Sequence, residues 1–371
     1  MEWNEDCTEF RNVEPCHILE SEGYTSCSDC EYYDKHGKKI LIIKLGAAGD
    51  VLRTTPLLRT IKEKTPNAHI TWLTLPSNVA LLENNPHINK ILPLNYETIL
   101  RMDIEHYDTV YNLEIDTPAT LLATKVKAHH KYGYYHHQNG NTAAYNTSAE
   151  YYLHRARSNV INRNNTKTYQ HMMFDAAELP YSQEDYVLQL TDEEKAASIK
   201  FRKHYAINDN QKLIGINIGA GNRWPSKNWG RDNIIALIRK LNLPIVLLAG
   251  PDEPEDIQEK MAMRLHDYEW PLLKNNPQNS LREYMSIVNA CDMVITGDTL
   301  TLHIALALKK PTVGLFLCTP PWEVEEYGRL TKVTSPLLQQ YFYTNDNVPE
   351  IAKSVSVDEV LEKTKERLNI Q

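Results

Sequence analysis

KILIIKLGAAGDVLRTTPLLRTIKEKTPNAHITWLTL, residues 39–75, decides the fold of this chain. Its first seven residues are a short, nearly continuous apolar run that stops at Gly46, the pattern of a strand buried on both faces of a parallel sheet. From Asp50 the apolar residues recur at helical spacing, and this helix is expected to end before Pro66. HITWLTL, residues 69–75, is a second strand, so the stretch reads as one βαβ unit.

The same alternation extends outward. Strands are expected at Lys90–Leu92 and Thr109–Leu113, and a helix at Thr117–Val126. Residues 131–165 are rich in Tyr, His and Asn without a clear period and read as loop and short helix. Helices follow at 168–179 and 192–206, with a linker around Pro180–Glu184. LIGINIG (213–219), PIVLLAG (244–250), DMVITGD (292–298) and PTVGLFL (311–317) are four more apolar runs, separated by helical patterns. They predict a second doubly wound sheet. Four segments result: a Cys-rich stretch over 1–37, one α/β domain over 38–187, a second over 188–345, and an amphipathic helical tail over 346–371. A length of 371 residues suits two domains better than one core.

With 42% hydrophobic and 24% charged residues, the composition is that of a folding chain rather than a disordered one. Forty Lys plus Arg stand against 48 Asp plus Glu, a net charge of -8, and no basic stripe exists for a phosphate backbone to follow. Nucleic acid is therefore not an expected partner. The local patch Lys125, Lys127, His129, His130 and Lys131 reads first as a solvated face, with contact to an anionic substrate as the alternative. The acidic start has none of the regions of a signal peptide, and no apolar run approaches bilayer length. The cytoplasm is the expected compartment, and any membrane association is expected to be peripheral.

Three motifs carry chemistry. In KLGAAGDVLRTTPLL, residues 44–58, Gly46 and Gly49 flank a turn at the end of the first strand, where open α/β sheets bind ligands. Asp50 stands where the helix begins, with Arg53 one turn on; capping and catalysis are both open to Asp50, and they are compatible. A dinucleotide site is not expected, because G-x-G-x-x-G is missing and the second strand ends in Leu75 and Pro76 instead of an acid. In NIGAGNRWPSKNWG, residues 217–230, Gly219 and Gly221 permit close backbone approach and Lys227, beside Ser226 and flanked by Trp224 and Trp229, is a compact cation that can neutralise phosphate. A surface loop with aromatic anchors is the other reading, and the position after a strand end favours a site. In TGDTLTLHIALALKKPTVGLF, residues 296–316, a strand delivers Asp298 and Thr299 to the start of a helix whose amides and dipole suit a pyrophosphate. Leu300 and His303 lie on that helix, and Gly250 closes the neighbouring strand.

Together these motifs, in order over about Lys38 to Tyr327, resemble glycosyltransferase family 9, the ADP-heptose:lipopolysaccharide heptosyltransferases. The resemblance implies a GT-B fold, two Rossmann-like domains facing a cleft, and transfer with inversion. It implies a nucleotide-sugar donor such as ADP-heptose and a glycan or glycolipid acceptor. By similarity Asp50 is the catalytic carboxylate, Lys227 meets the donor phosphates, and Asp298, Thr299 and His303 lie at the pyrophosphate. Gly46, Gly49 and Arg53 fall on the acceptor side. Leu300 departs from the family, which has Gly there. No Asp-x-Asp stands at a strand end, so no catalytic divalent ion is expected. A nucleotide-sugar epimerase of similar architecture and a non-catalytic sugar-nucleotide-binding protein are the alternatives.

Cys7, Cys16, Cys27 and Cys30 precede the first strand, and Cys27 with Cys30 form a C-x-x-C that suits one tetrahedral metal. Structural zinc is the leading expectation and iron the second. Unligated or redox-active thiols complete the alternatives.

Overall fold

The computed structural model describes residues 2–10, 13–35, 37–219, 224–251, 253 and 256–370. Two six-stranded sheets dominate. The first comprises β1 (Lys39–Ile43), β2 (His69–Thr74), β3 (Lys90–Pro93), β4 (His106–Asn112), β5 (Lys127–His136) and β6 (Thr142–Ala144), in the order β3-β2-β1-β4-β5-β6. Only β6 runs antiparallel to its neighbour. The second comprises β7 (Ile214–Asn217), β8 (Ile245–Leu248), β9 (Leu272–Lys274), β10 (Met293–Gly297), β11 (Thr312–Phe316) and β12 (Leu330–Thr334). Its order, β12-β11-β10-β7-β8-β9, is the same winding read from the other edge. The chain is thus an α/β protein with two parallel-sheet domains.

The central strands explain their sequence. Ile42 of β1 pairs with Trp72 of β2 and Tyr111 of β4, and helices cover both faces. Leu41, Ile42 and Ile43 are consequently all fully buried, so the run is continuous rather than alternating.

Two expectations change. The helix drawn from Asp50 toward Pro66 is two helices, Ala48–Thr54 and Leu57–Lys64. Pro56 has no N–H to donate, and the break lets Thr55 Oγ1 accept a 3.0 Å bond from the Val187 amide. The region read as loop from Lys131 begins instead inside the ten-residue β5, followed by β6 and the helix Glu150–Arg157. β5 is largely exposed or half-exposed, so it offers no apolar run to read. The basic patch is also internally engaged: Lys125 pairs with Asp103 at 2.8 Å, and Lys131 Nζ donates to the carbonyls of Ala123 and Thr124.

The domains meet along polar and apolar contacts. Arg155 forms a buried ion pair with Glu323, which also accepts from Tyr343 Oη at 3.2 Å. Arg329 binds Asp185, and Tyr327 Oη donates to the Glu184 carbonyl at 2.9 Å. The helix Ala48–Thr54 packs against Leu300–Ala307 of the other domain. The tail helix, Val357–Leu368, packs on the helix Arg231–Leu241 and on β11 and β12. At the other end, the described residues among 2–35 carry the helix His17–Glu22, one turn at Cys27–Asp29 and a bridge between Cys7 and Lys35. Among the described residues no helix is long and apolar enough to cross a membrane.

Candidate active site

The carboxyl ends of β1 and β7 open on one cavity of about 650 Å³ between the domains. Such strand ends, where the winding reverses direction, are where doubly wound sheets bind ligands. One wall is Ala47 to Asp50 with Arg53; the other holds Gly219, Lys227, Gly250, Asp298, Thr299, Leu300 and His303. A second cavity, of about 720 Å³, lies behind the Lys227 turn and touches neither Asp50 nor Asp298. Chemistry rather than size therefore selects the interdomain one.

Asp50 is not the helix cap. Ala47 occupies that position, and Asp50 sits in the first turn with its carboxylate bound by Arg53, one turn along. The Arg53 guanidinium lies 4.1 Å from the Tyr169 ring centroid, and its Nε is buried without a partner. Beneath them Lys44 Nζ and Glu114 Oε2 pair at 2.7 Å, both buried. Burial alone would raise the Asp50 carboxyl, but Arg53, then Lys44 and His303, outweigh it and hold the group below its usual range.

Across the cavity, the short turn Pro225–Lys227 presents Lys227, whose Nζ donates to Asp298 Oδ2 at 2.8 Å and to the Asp298 carbonyl at 2.9 Å. Asp298 is fixed by the end of β10. A Cβ at Gly297 would stand 2.8 Å from the Lys227 carbonyl, so glycine allows this approach. Burial works against the Asp298 charge, yet Lys227, His303 and Arg53 keep its carboxyl far below the ordinary carboxylate range. Thr299 stands at the N-terminal position of the helix Leu300–Ala307 without a side-chain capping bond, and the helix start lines the cavity.

His303 joins the two domains. Its Nδ1 lies 3.0 Å from Tyr186 Oη and its Nε2 3.8 Å from Asp298 Oδ1. A Cβ at Gly49 would come within 2.6 Å of its ring, so Gly49 is the room His303 needs. Burial, then Arg53, pushes the imidazole down to about 3, so it is neutral at neutral pH.

Other positions read from sequence lie elsewhere. Ser226 donates to the Asp346 carbonyl and accepts from the Val348 amide, tying down the tail on the side of the second cavity. Gly46 is absent from the cavity wall and packs near Leu75 and Asn78. Gly221 lies outside the described residues. Sequence reading missed Lys44, Glu114 and Tyr186. Only Lys44 left a signal, as a charge inside an apolar run.

The four N-terminal thiols line a common cavity of about 610 Å³. Among the described residues, however, no three His, Cys, Asp or Glu side chains come together as a metal-ligand set. Cys7 is buried beside its bridge to Lys35, Cys16 precedes the helix His17–Glu22, and Cys27 and Cys30 bracket a turn. As placed, these residues do not fit the expected zinc or iron.

The family profile described as glycosyltransferase family 9 (heptosyltransferase) matches residues 99–344. This chain belongs to glycosyltransferase family 9. The Asp50 turn precedes the matched span. Lipopolysaccharide heptosyltransferase 1 of Campylobacter coli is 23% identical over 299 residues, covering 76% of this chain and 85% of the relative. The solved family 9 glycosyl transferase of Veillonella parvula superposes with a TM-score of 0.70 at 18% identity, covering 90% of this chain and 97% of that one. The Escherichia coli ADP-heptose lps heptosyltransferase II gives 0.64 at 19%, covering 89% and 98%. The protein is a glycosyltransferase, and these superpositions agree with its two-domain fold.

Proposed function

We propose that this family 9 glycosyltransferase moves a heptosyl group from ADP-heptose to a lipopolysaccharide-type glycan acceptor, inverting the anomeric centre, with Asp50 as base. The supporting observation is the facing of Asp50, across one cavity, by Lys227 and the start of the helix Leu300–Ala307. The acceptor oxygen forms its bond to the anomeric carbon as the bond to the β-phosphate oxygen breaks. The electron pair leaves on the diphosphate and the proton passes to Asp50. A single displacement from the face opposite the leaving group inverts configuration.

Lys227 and the helix amides are aimed where negative charge accumulates, which is how an enzyme lowers such a barrier. His303, neutral, serves as a hydrogen-bonding wall and adds no cation. The donor's identity rests on the names of relatives, which include an ADP-heptose enzyme and lipopolysaccharide heptosyltransferases.

A thermal-shift screen of ADP, UDP, GDP and CMP with their sugar conjugates tests it, because a ligand bound only by the folded state raises the melting temperature. ADP species are expected to give the largest shift. A larger shift from UDP or GDP species would reject the ADP donor, and conversion of donor without acceptor would favour the epimerase instead.

A further inference from the structure

Among the described residues on the wall of the interdomain cavity, Arg53 and Lys227 are the cations, and both are already committed. Arg53 binds the Asp50 carboxylate, and Lys227 binds Asp298 through two acceptors. With His303 neutral, these four groups sum to zero charge. A nucleoside diphosphate brings at least two negative charges into this space, and a carboxylate gripped by a guanidinium is a poor base. The resting arrangement therefore serves neither half of the proposed reaction until an ion pair opens.

One edge of the Arg53 side chain is unpartnered. Its Nε is buried with no partner, and its guanidinium lies over the Tyr169 ring, a face along which a planar cation slides without losing contact. Arg53 lines the same cavity as Asp50 and Asp298, which come from opposite domains, and both carboxylates act on its charge.

We propose that Arg53 is a switching cation: the entering diphosphate draws it from Asp50, so that one movement both neutralises the leaving group and frees the base. This rests on the transfer reading above. Arg53 takes up no proton; it exchanges hydrogen bonds to a carboxylate for hydrogen bonds to phosphate oxygens, while the acceptor's proton goes to Asp50. The other groups facing Asp50 stay in place. They are Lys44 and Glu114 beyond β1 and β4, Tyr152 and Tyr169 from the helices Glu150–Arg157 and Tyr169–Ala176, and His303 from the other domain.

Calorimetric titration of the full chain with ADP and UDP, each against its monophosphate, decides between a switching and a fixed arginine. Arg53→Met is expected to weaken diphosphate binding on the order of tenfold, the scale of one charge-assisted phosphate contact, with monophosphate affinity nearly unchanged. Arg53→Lys is expected to restore part of the loss. Asp50→Asn, which releases the guanidinium in advance, is expected to tighten diphosphate binding several-fold, and the gain should vanish in the Asp50→Asn, Arg53→Met double variant.

Unchanged or weaker diphosphate binding by Asp50→Asn overturns the switch, as does an equal loss of mono- and diphosphate binding by Arg53→Met. A wild-type protein that prefers neither diphosphate over its monophosphate does so as well. If Arg53→Met does not fold, Asp50→Asn in the wild-type background and Arg53→Lys still separate the two outcomes. Turnover by Asp50→Asn is read separately: it reports on Asp50 as base, while the binding cycle alone reports on Arg53.

Discussion

Two regions of this chain carry reactive side chains at suggestive spacings, the interdomain cleft and the N-terminal cysteine stretch, and the fold treats them differently. In the cleft, Asp50 and Asp298 come from positions 248 apart in sequence yet line one cavity. Each is delivered by a strand end and a helix start, and buried strands hold those ends in fixed register. Residues 2–35 have one six-residue helix, one turn and one bridge, with Cys7 and Leu19 their only buried apolar side chains among the described residues. Four thiols share a cavity there without forming a ligand set. Spacing becomes geometry only where packed elements fix direction.

The strongest way to break this contrast is to remove the proposed base. Asp50→Ala is expected to cut turnover by about 10²–10⁴-fold, the usual weight of general-base catalysis, while ADP binding survives. Initial rates with a saturating donor, set beside calorimetric ADP titration, check both halves. Wild-type turnover would end the assignment.

Next in size is the clasp between the domains. Glu323→Ala leaves Arg155 buried and unpaired, and removing one partner of such a pair costs about 3–5 kcal/mol. Chemical denaturation should show the loss. A variant as stable as the wild type would mean that the cleft's rigidity has another source. Lys227→Ala should weaken ADP binding by about tenfold to a hundredfold and spare any affinity for adenosine, because the lost contacts are to phosphate.

In the cleft, His303 supplies a pH signature. Its folded-state value of about 3 lies below the ordinary imidazole value, so the unfolded chain takes up a proton that the folded chain refuses. Stability from this group is full above about pH 6.5 and falls as pH drops toward 3, with a slope of up to about 1.4 kcal/mol per pH unit. Asp298, held low, keeps its own contribution until the pH passes below the ordinary carboxylate range. Melting temperatures between pH 7 and 5 should therefore decline in the wild type and decline less in His303→Gln. Equal slopes would show that another group sets the acid limb.

What the sequence revealed follows from the same physics. The strands β1, β2, β7, β8, β10 and β11 were legible because burial on both faces leaves an unbroken apolar run. β5 was not, since its exposed positions look like loop, and β9 has only three residues. Of the site, the motifs identify the turns that line the cavity. They do not say which way a side chain points: Ser226 belongs to the same turn as Lys227 yet turns to the tail. The Asp50–Arg53 pairing was open to reading from i, i+3 helical spacing, whereas Tyr186 reaches His303 from 117 positions away and no local pattern announces it.

The smallest expected effect concerns the cysteines and tests the contrast from its other end. Replacing Cys27 and Cys30 by serine should leave ADP affinity unchanged and shift stability by no more than about 0.5 kcal/mol, as for a half-exposed site away from any core. Elemental analysis of the purified protein belongs beside this measurement, because metal binding to thiolates is itself folding free energy for a small segment. One equivalent of zinc or iron, lost in the double variant together with several kcal/mol of stability, would show that the four thiols close around an ion when it arrives. The stretch would then be organised by its ligand, whereas the cleft is organised by its strands, and the difference between them would be one of timing in folding rather than of capacity to form a site.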